Sequence, residues 1–117
     1  MSDTDSILAR LMAVIEDRRA HPSEGSYTAK LFAGGVERIG EKICEEAAEV
    51  VDAARAAESP EAHAHLIYEA ADLIYHLFVM LGFRQISLAE VEAELARRFG
   101  ISGLAEKAAR PPKDKPS

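Results

Sequence analysis

Two groups of acidic residues, each set in a helical repeat of apolar residues, constrain the fold of this chain more than any other feature. The first is Glu45-Glu46-x-x-Glu49 and the second is Glu69-x-x-Asp72. Residues three and four apart are neighbours on one face of a helix, so each group brings its carboxylates together. At about 100° per residue, Glu46 borders the apolar stripe of its own helix. Two such helices, packed by their apolar stripes, would direct these carboxylates at one shared pocket.

Carboxylates at such short range repel one another unless protons or cations lie between them. Hard oxygen ligands of this kind suit Mg²⁺ or Mn²⁺. The alternative is a solvated helix face, which is what most acidic runs form. An exposed face would also be expected to carry Lys four residues after Glu, but no Lys occurs between Glu45 and Asp72. We therefore predict a site for Mg²⁺, which Mn²⁺ can replace, with these metal ligands: Glu46, Glu49, Glu69 and Asp72.

Composition limits the class of protein. The chain has 117 residues, of which 48% are hydrophobic and 6% aromatic, so one domain with a modest core is expected. A net charge of −6 argues against non-specific nucleic-acid binding. No apolar run approaches the roughly 20 residues that span a membrane, so no membrane association is expected. A single cysteine, Cys44, allows no internal disulfide, which fits the cytoplasm. We predict that it fills the core.

Periodicity and capping signals predict an all-α fold, a bundle of about five helices in a single domain over residues 1–110. A short turn is predicted over 104–109 and a disordered tail over 111–117. Gly34-Gly35 should interrupt the second and third helices, and Ser87-x-x-Glu90 is a capping box that should open the last one. The predicted helices are Asp3–Ala20, Tyr27–Ala33, Val36–Glu58, Pro60–Leu81 and Ser87–Arg98.

The predicted helix over 60–81 is apolar on more than one side. Ile67, Ile74 and Phe78 lie on one side of its main stripe and Val79 lies on the other. A helix that is hydrophobic over so wide an arc needs packing partners on several sides. The other predicted helices are too short to cover it, so we predict a homodimer whose core is completed by dimerisation.

The acidic pattern E-E-x-x-E followed by E-x-x-D resembles the MazG-like superfamily of all-α nucleotide pyrophosphohydrolases. Further segments resemble the phosphoribosyl-ATP pyrophosphohydrolase family within it: residues 26–31 (SYTAKL), 38–42 (RIGEK), 69–76 (EAADLIYH) and 96–104 (ARRFGISGL). The resemblance implies hydrolysis of phosphoribosyl-ATP between its α and β phosphates. It also implies that the products are phosphoribosyl-AMP and pyrophosphate and that the reaction depends on Mg²⁺. This reaction is the second step of histidine biosynthesis.

Hydrolysis of a phosphoanhydride needs neutralised phosphate oxygens and a water molecule held in line with the bond that breaks. We predict that the catalytic residues are Glu45, Glu46 and Glu49. Glu45 is the candidate for orienting or deprotonating the water, although it can equally be a solvated helix residue. Lys42 shares this face and can contact a phosphate or simply balance the acids.

Hydroxyl, imidazole and cationic side chains elsewhere are candidates for contacting the substrate. Arg is suited to bidentate phosphate binding, but most surface Arg residues are only solvated. Ser26 can instead cap a helix, and His76 can instead be a core histidine with a satisfied hydrogen bond. The predicted substrate-binding residues are Ser26, Tyr27, Thr28, Lys30, Arg38, Lys42, His76, Arg97, Arg98 and Lys107.

Two other functions fit the same sequence. One is a housecleaning hydrolase that acts on ordinary or damaged nucleoside triphosphates. The other is a non-catalytic helical dimerisation module whose acids are a charged surface, which predicts no increase in melting temperature with Mg²⁺.

Overall fold

Four helices follow one another along residues 6–100, the part of the chain that the computed structural model describes. They are α1 (Ile7–Ala20), α2 (Tyr27–Arg55), α3 (Pro60–Phe83) and α4 (Leu88–Phe99), and residues 6–100 contain no strand. The all-α prediction is confirmed. The count of about five helices is not confirmed, because the segments predicted as 27–33 and 36–58 form the single element α2. The predicted turn over 104–109 and tail over 111–117 lie outside the described residues.

A serine precedes each of these four helices. Each serine hydroxyl accepts a hydrogen bond from the backbone N–H three residues later, at 3.0–3.2 Å. Such a cap stabilises a helix by about 1 kcal/mol. The capping box predicted at Ser87 and Glu90 is present. Ser6 has an extended backbone and α1 begins at Ile7, whereas Asp3, the predicted start of this helix, lies outside the described residues. The four serines are Ser6, Ser26, Ser59 and Ser87.

Gly35 divides α2 into two helical segments. Its backbone has φ 71° and ψ −164°, which no helix contains. A positive φ is accessible to glycine at little cost, because glycine has no Cβ. The interruption predicted from Gly34-Gly35 is therefore present as a kink, and α2 continues beyond it.

The chain divides into two compact units, Met1–Ile86, which contains α1 to α3, and Ser87–Ser117, which contains α4. In the first unit α2 packs most extensively on α3, and α1 packs on both. α1 and α3 approach closely at Gly82, where an added Cβ would lie 2.9 Å from Cγ2 of Ile15. The buried apolar residues of this unit are Met12, Ile15, Leu31, Ile39, Ala53, Phe78 and Val79.

α3 is an apolar helix that keeps several apolar side chains exposed. Among residues 6–100 it is the one helix long and apolar enough to cross a membrane, judged by length and composition alone, and 28% of its apolar window is buried. Its buried side chains include Glu69 and His76, and His76 is hydrogen-bonded to Tyr27 of α2. Apolar side chains remain exposed on its other faces, including Ile67 and Ile74. Cys44 of α2 is exposed too, so the prediction that it fills the core of the chain is wrong.

Candidate metal and substrate site

Three carboxylates from two helices meet in the first unit. Glu46 and Glu49 project from α2 and Glu69 projects from α3, and one oxygen of each lies within 4.8 Å of the others. Glu46 and Glu69 are buried, with relative exposures of 6% and 7%, whereas Glu49 is exposed. The spacing of the acids along each helix places them on one face, and the packing of α2 on α3 brings the two faces together.

The two buried acids are electrostatically unfavourable as carboxylates. Burial raises the pKa of Glu46, and the charges of Glu49 and Asp72 raise it further. Burial also raises the pKa of Glu69, followed by a hydrogen bond and a charge interaction with Glu49. Oε1 of Glu46 and Oε1 of Glu69 are buried without a hydrogen-bond partner among the described residues. Unpaired buried oxygens are costly unless a proton or cation satisfies them.

The residues present fit Mg²⁺ or Mn²⁺. The donor set consists of carboxylate oxygens from three side chains, the ligand type that these hard cations prefer. A cation here would contact the oxygens that otherwise lack a partner. Asp72 is half-buried and acts electrostatically on Glu46, but it is not one of the three residues whose oxygens lie within 4.8 Å of one another. Of the four predicted ligands, the structure thus brings three together and places the fourth nearby.

Lys42 lies at the edge of this acidic cluster (Glu46, Glu49 and Glu69). Its Nζ donates a hydrogen bond to Oε1 of Glu45 at 3.2 Å and lies 3.9 Å from Oε2 of Glu46. The hydrogen bond to Glu45 is the main reason why the pKa of Lys42 is raised. Glu45 itself is exposed. The ammonium of Lys42 therefore lies between the exposed Glu45 and the buried Glu46.

The first turn of α2 contacts α3 through hydroxyl groups and rings. The hydroxyl of Tyr27 lies 2.8 Å from Nε2 of His76, and Nδ1 of His76 lies 2.8 Å from the backbone oxygen of Asp72. The hydroxyls of Thr28 and Tyr75 are hydrogen-bonded to each other. The ring of Tyr27 stacks on that of Tyr75, with centroids 6.2 Å apart, and meets His76 edge-on. Predicted residues from the start of α2 and from α3 thus come together.

Two contacts escaped the sequence analysis. Tyr75 pairs with Thr28, and Nε2 of His65 lies 3.5 Å from Oε2 of Glu69. The helical spacing of His65 and Glu69 could have indicated the second contact. No sequence signal indicates the first, because its two residues lie on different helices.

The predicted cationic residues are less concentrated. Lys30 is exposed on α2, and Arg38 donates a hydrogen bond to Glu41 at 3.3 Å. Arg97 and Arg98 belong to the second unit, where both contact Glu94, at 2.9 and 3.0 Å. Lys107 lies outside the described residues. Ser26 caps α2 through its hydroxyl oxygen.

The cavity of about 600 Å³ beside the α2–α3 connection is a different feature. Its lining includes Ala53, Ser59, Pro60 and Leu66, and none of the acidic-cluster residues contributes to it. The acidic cluster lies elsewhere along the same two helices.

Comparison with known proteins gives a consistent result. A family model described as phosphoribosyl-ATP pyrophosphohydrolase matches residues 8–99, a range that includes the acidic cluster, the first turn of α2 and α4. A protein named phosphoribosyl-ATP pyrophosphatase from Rhodopirellula baltica is 57% identical over 107 residues, which cover 91% of this chain and 88% of the relative. Proteins of the same name come from Rhodobacter capsulatus, 54% identical over 88% of this chain and 96% of the relative, and Geobacter metallireducens, 44% identical over 95% and 98%.

Proposed function

The chain belongs to the phosphoribosyl-ATP pyrophosphohydrolase family, and we propose that it catalyses the Mg²⁺-dependent hydrolysis of phosphoribosyl-ATP to phosphoribosyl-AMP and pyrophosphate. This is the second step of histidine biosynthesis. One observation carries the proposal: Glu46, Glu49 and Glu69 each bring a carboxylate oxygen within 4.8 Å of the others. An acidic cluster of this kind, in which two of the three residues are buried, matches the reaction, because the substrate phosphates and the carboxylates both need a cation.

The proposed ligands of Mg²⁺ are Glu46, Glu49, Glu69 and Asp72. Oε1 of Glu46 and Oε1 of Glu69 support this assignment, because both are buried and lack a hydrogen-bond partner among the described residues. When bound, Mg²⁺ supplies positive charge that offsets the repulsion among the carboxylates and the charge on the phosphate oxygens. Water attacks the α–β phosphoanhydride, one bond between a phosphorus and the bridging oxygen breaks, and the bridging oxygen leaves with the electron pair of that bond, which gives phosphoribosyl-AMP and pyrophosphate.

Glu45 is the proposed residue that orients the attacking water and takes its proton. Its carboxylate is exposed and one residue away from the buried Glu46, so water can reach it. The ammonium of Lys42, 3.2 Å away, holds the side chain of Glu45 in place. Lys42 can transfer this contact to a phosphate when substrate binds.

The proposed substrate contacts combine two groups of residues. The first turn of α2 supplies hydroxyls beside His76, and its contacts with α3 support a role next to the acidic cluster. The cations are proposed to bind phosphate groups, with Arg38 and Lys42 carried by the same helix as Glu46. The proposed substrate-binding residues are Ser26, Tyr27, Thr28, Lys30, Arg38, Lys42, Arg97, Arg98 and Lys107, and His76 is proposed to act through its hydrogen bond with Tyr27.

We also propose that the protein is a cytoplasmic homodimer. The exposed apolar side chains of α3 support the assembly, since Ile67, Ile74 and Leu77 keep 58%, 39% and 45% of their surface exposed. Large contiguous apolar surface favours association. Sedimentation at micromolar concentration should give the mass of a dimer, and a monomer at that concentration would contradict the proposal.

The function is tested by measuring pyrophosphate release from phosphoribosyl-ATP with Mg²⁺ and with a metal chelator. Pyrophosphate release is expected with Mg²⁺ and not with the chelator. The common nucleoside triphosphates and dUTP, assayed in parallel, should be poor substrates. Faster hydrolysis of any of them than of phosphoribosyl-ATP would instead support a housecleaning hydrolase.

A further inference from the structure

The imidazole of His76 is hydrogen-bonded at both nitrogens. The residue is 4% exposed, and Nδ1 lies 2.8 Å from the backbone oxygen of Asp72. A backbone carbonyl can only accept a hydrogen bond. The proton of this hydrogen bond must therefore be on Nδ1 of His76, which fixes the tautomer of the neutral ring.

The direction of the next hydrogen bond follows from this tautomer. With its proton on Nδ1, a neutral imidazole has only a lone pair at Nε2. While the ring is neutral, the hydroxyl of Tyr27, 2.8 Å from that nitrogen, must therefore donate its proton to His76. A tyrosine hydroxyl has a single proton, so the oxygen of Tyr27 can only accept any additional hydrogen bond.

The surroundings of Tyr27 keep this arrangement intact and accessible. Burial raises the pKa of the Tyr27 phenol, which keeps its proton available for His76. The ring is held by stacking on Tyr75 and by edge-on contact with His76. Tyr27 nevertheless keeps 46% of its surface exposed. A ligand beside the acidic cluster can therefore meet an oxygen whose position and hydrogen-bonding direction are both fixed.

We propose that Tyr27 is an acceptor-only hydroxyl that recognises a hydrogen-bond donor of the nucleotide, either a sugar hydroxyl or an amino group, and that His76 is the positioning residue that imposes this direction. The proposal rests on the proposed function for the identity of the nucleotide. It excludes a phosphate as the partner of Tyr27, because ionised phosphate oxygens only accept hydrogen bonds. Tyr27 would thus read the nucleoside part of the substrate, while the cations bind its phosphates.

The tautomer is tested directly by NMR on protein labelled with ¹⁵N at its histidines. Four histidines are present, and loss of one set of signals in His76→Gln assigns the set of His76. At about pH 8, where histidine is ordinarily neutral, we expect a protonated Nδ1 and an unprotonated Nε2. Tyr27→Phe should shift the Nε2 signal of His76 alone. A protonated Nε2 would overturn the proposal, and this result does not depend on any enzymatic activity.

The recognition step is tested by the kinetics of Tyr27→Phe, with Tyr68→Phe as the matched control. Tyr68 is 64% exposed on α3 and has no proposed role in the site. Loss of one neutral hydrogen bond should raise KM for phosphoribosyl-ATP roughly three- to tenfold in Tyr27→Phe, with kcat little changed. Inhibition by pyrophosphate, which has no sugar or amino group, should be unchanged. Weaker inhibition by pyrophosphate, or an unchanged KM, would overturn the proposal.

The positioning role is tested by two substitutions of His76. Glutamine can place a carbonyl oxygen near the position of Nε2 and accept the proton of Tyr27, whereas leucine cannot. His76→Gln should therefore keep KM near that of the wild type, and His76→Leu should raise it as Tyr27→Phe does. Combining His76→Leu with Tyr27→Phe should add little, because both remove one interaction. Equal KM values for the two His76 variants would overturn the positioning role. Failure of the wild type to hydrolyse phosphoribosyl-ATP would count against the proposed function and leave the NMR result standing.

Discussion

Glu46 of α2 and Glu69 of α3 are both buried acids, and each has one carboxylate oxygen without a hydrogen-bond partner among the described residues. Two helices packed for stability alone would not place such groups between them, because desolvated charges are costly when they are not paired. The pair therefore indicates a functional site, at which the buried carboxylates lower the stability of the metal-free protein. The first three predictions below follow from this relationship.

Removing one carboxylate of the proposed site should abolish most activity without unfolding the protein. Substituting the groups around a metal ligand typically costs 10- to 100-fold, so Glu49→Gln and Asp72→Asn should each lower kcat/KM for phosphoribosyl-ATP by about 100-fold or more. Circular dichroism should show unchanged helix content, because Glu49 is exposed and Asp72 is half-buried.

Asp52→Asn is the matched control for these variants. Asp52 lies on α2, three residues beyond Glu49, and pairs at 3.5 Å with the exposed Arg55. Its activity should equal that of the wild type. Full activity in either site variant would contradict the assignment of that residue.

Mg²⁺ should stabilise the folded protein. A ligand that binds only the folded state adds about 2.7 kcal/mol at a concentration a hundredfold above its Kd, so the melting temperature measured by calorimetry should rise with Mg²⁺. Glu46→Gln should melt at a higher temperature than the wild type in a chelator, because the amide is uncharged, and should lose most of the response to Mg²⁺. An unchanged melting temperature of the wild type with Mg²⁺ would favour a charged surface without a metal site.

Metal-free protein should become more stable as the pH falls from neutral towards 4.5, the ordinary pKa of glutamate. The pKa values of Glu46 and Glu69 are raised in the folded state. Their favourable contribution is therefore complete below the unfolded pKa and is lost as the pH rises through the folded one. Urea unfolding in a chelator, measured over this range, should show the wild type gaining stability relative to Glu69→Gln as the pH falls.

Comparison with Glu69→Gln is needed because other acids act in the opposite direction. Hydrogen bonds from Arg97 and Arg98 lower the pKa of Glu94 to about 2. Its contribution is present above the ordinary pKa and is lost at lower pH, and it should cancel in the difference between wild type and variant. A wild type that loses stability relative to Glu69→Gln as the pH falls would contradict the predicted direction.

Adding a methyl group at Gly82 should destabilise the protein. Its Cβ would lie 2.9 Å from Cγ2 of Ile15 and 3.7 Å from Phe32, and Ile15 is 1% exposed and has little room to move. Overpacking of this kind costs about 1–3 kcal/mol, so Gly82→Ala should unfold at lower urea concentration than the wild type.

Gly40→Ala is the matched control for this substitution. An added Cβ at Gly40, also inside a helix, would meet only Cε of Met80 at 4.0 Å, an ordinary contact. This variant should be more stable by up to about 1 kcal/mol, because alanine favours helix over glycine. If Gly82→Ala and Gly40→Ala changed the free energy of unfolding in the same direction, close packing of α1 on α3 would not be the cause of the effect at Gly82.

The acidic cluster could be predicted from the sequence because helical spacing is a local property. Glu46 and Glu49 share a face whatever the rest of the chain does, and the apolar stripe beside Glu46 indicated its burial. The cap at Ser87 was equally readable, since serine and glutamate three residues apart satisfy each other's backbone groups. Cys44 was assigned wrongly because periodicity does not reveal which sides of a helix the remaining elements cover.

The pairing of Tyr27 with His76 could not be predicted, because the two residues are 49 positions apart. Their contact depends on the direction in which the first segment of α2 leaves Gly35. That direction follows from one glycine torsion and from the stacking of Tyr27 on Tyr75, neither of which has a periodic signature. The hydrogen-bonding direction at His76 likewise follows from a backbone carbonyl, which no side-chain pattern reports.

The kink at Gly35 has a consequence for how the two ends of α2 can diverge. In an unbroken helix, Tyr27 and Glu46 would be locked about 100° apart around one axis. A backbone with φ 71° at Gly35 instead kinks α2, so its two segments do not share one helix axis. The hydroxyl-bearing segment can therefore lie at an angle to the rest of α2 that a continuous helix would not allow, while the carboxylates beyond Gly35 stay in register with α3.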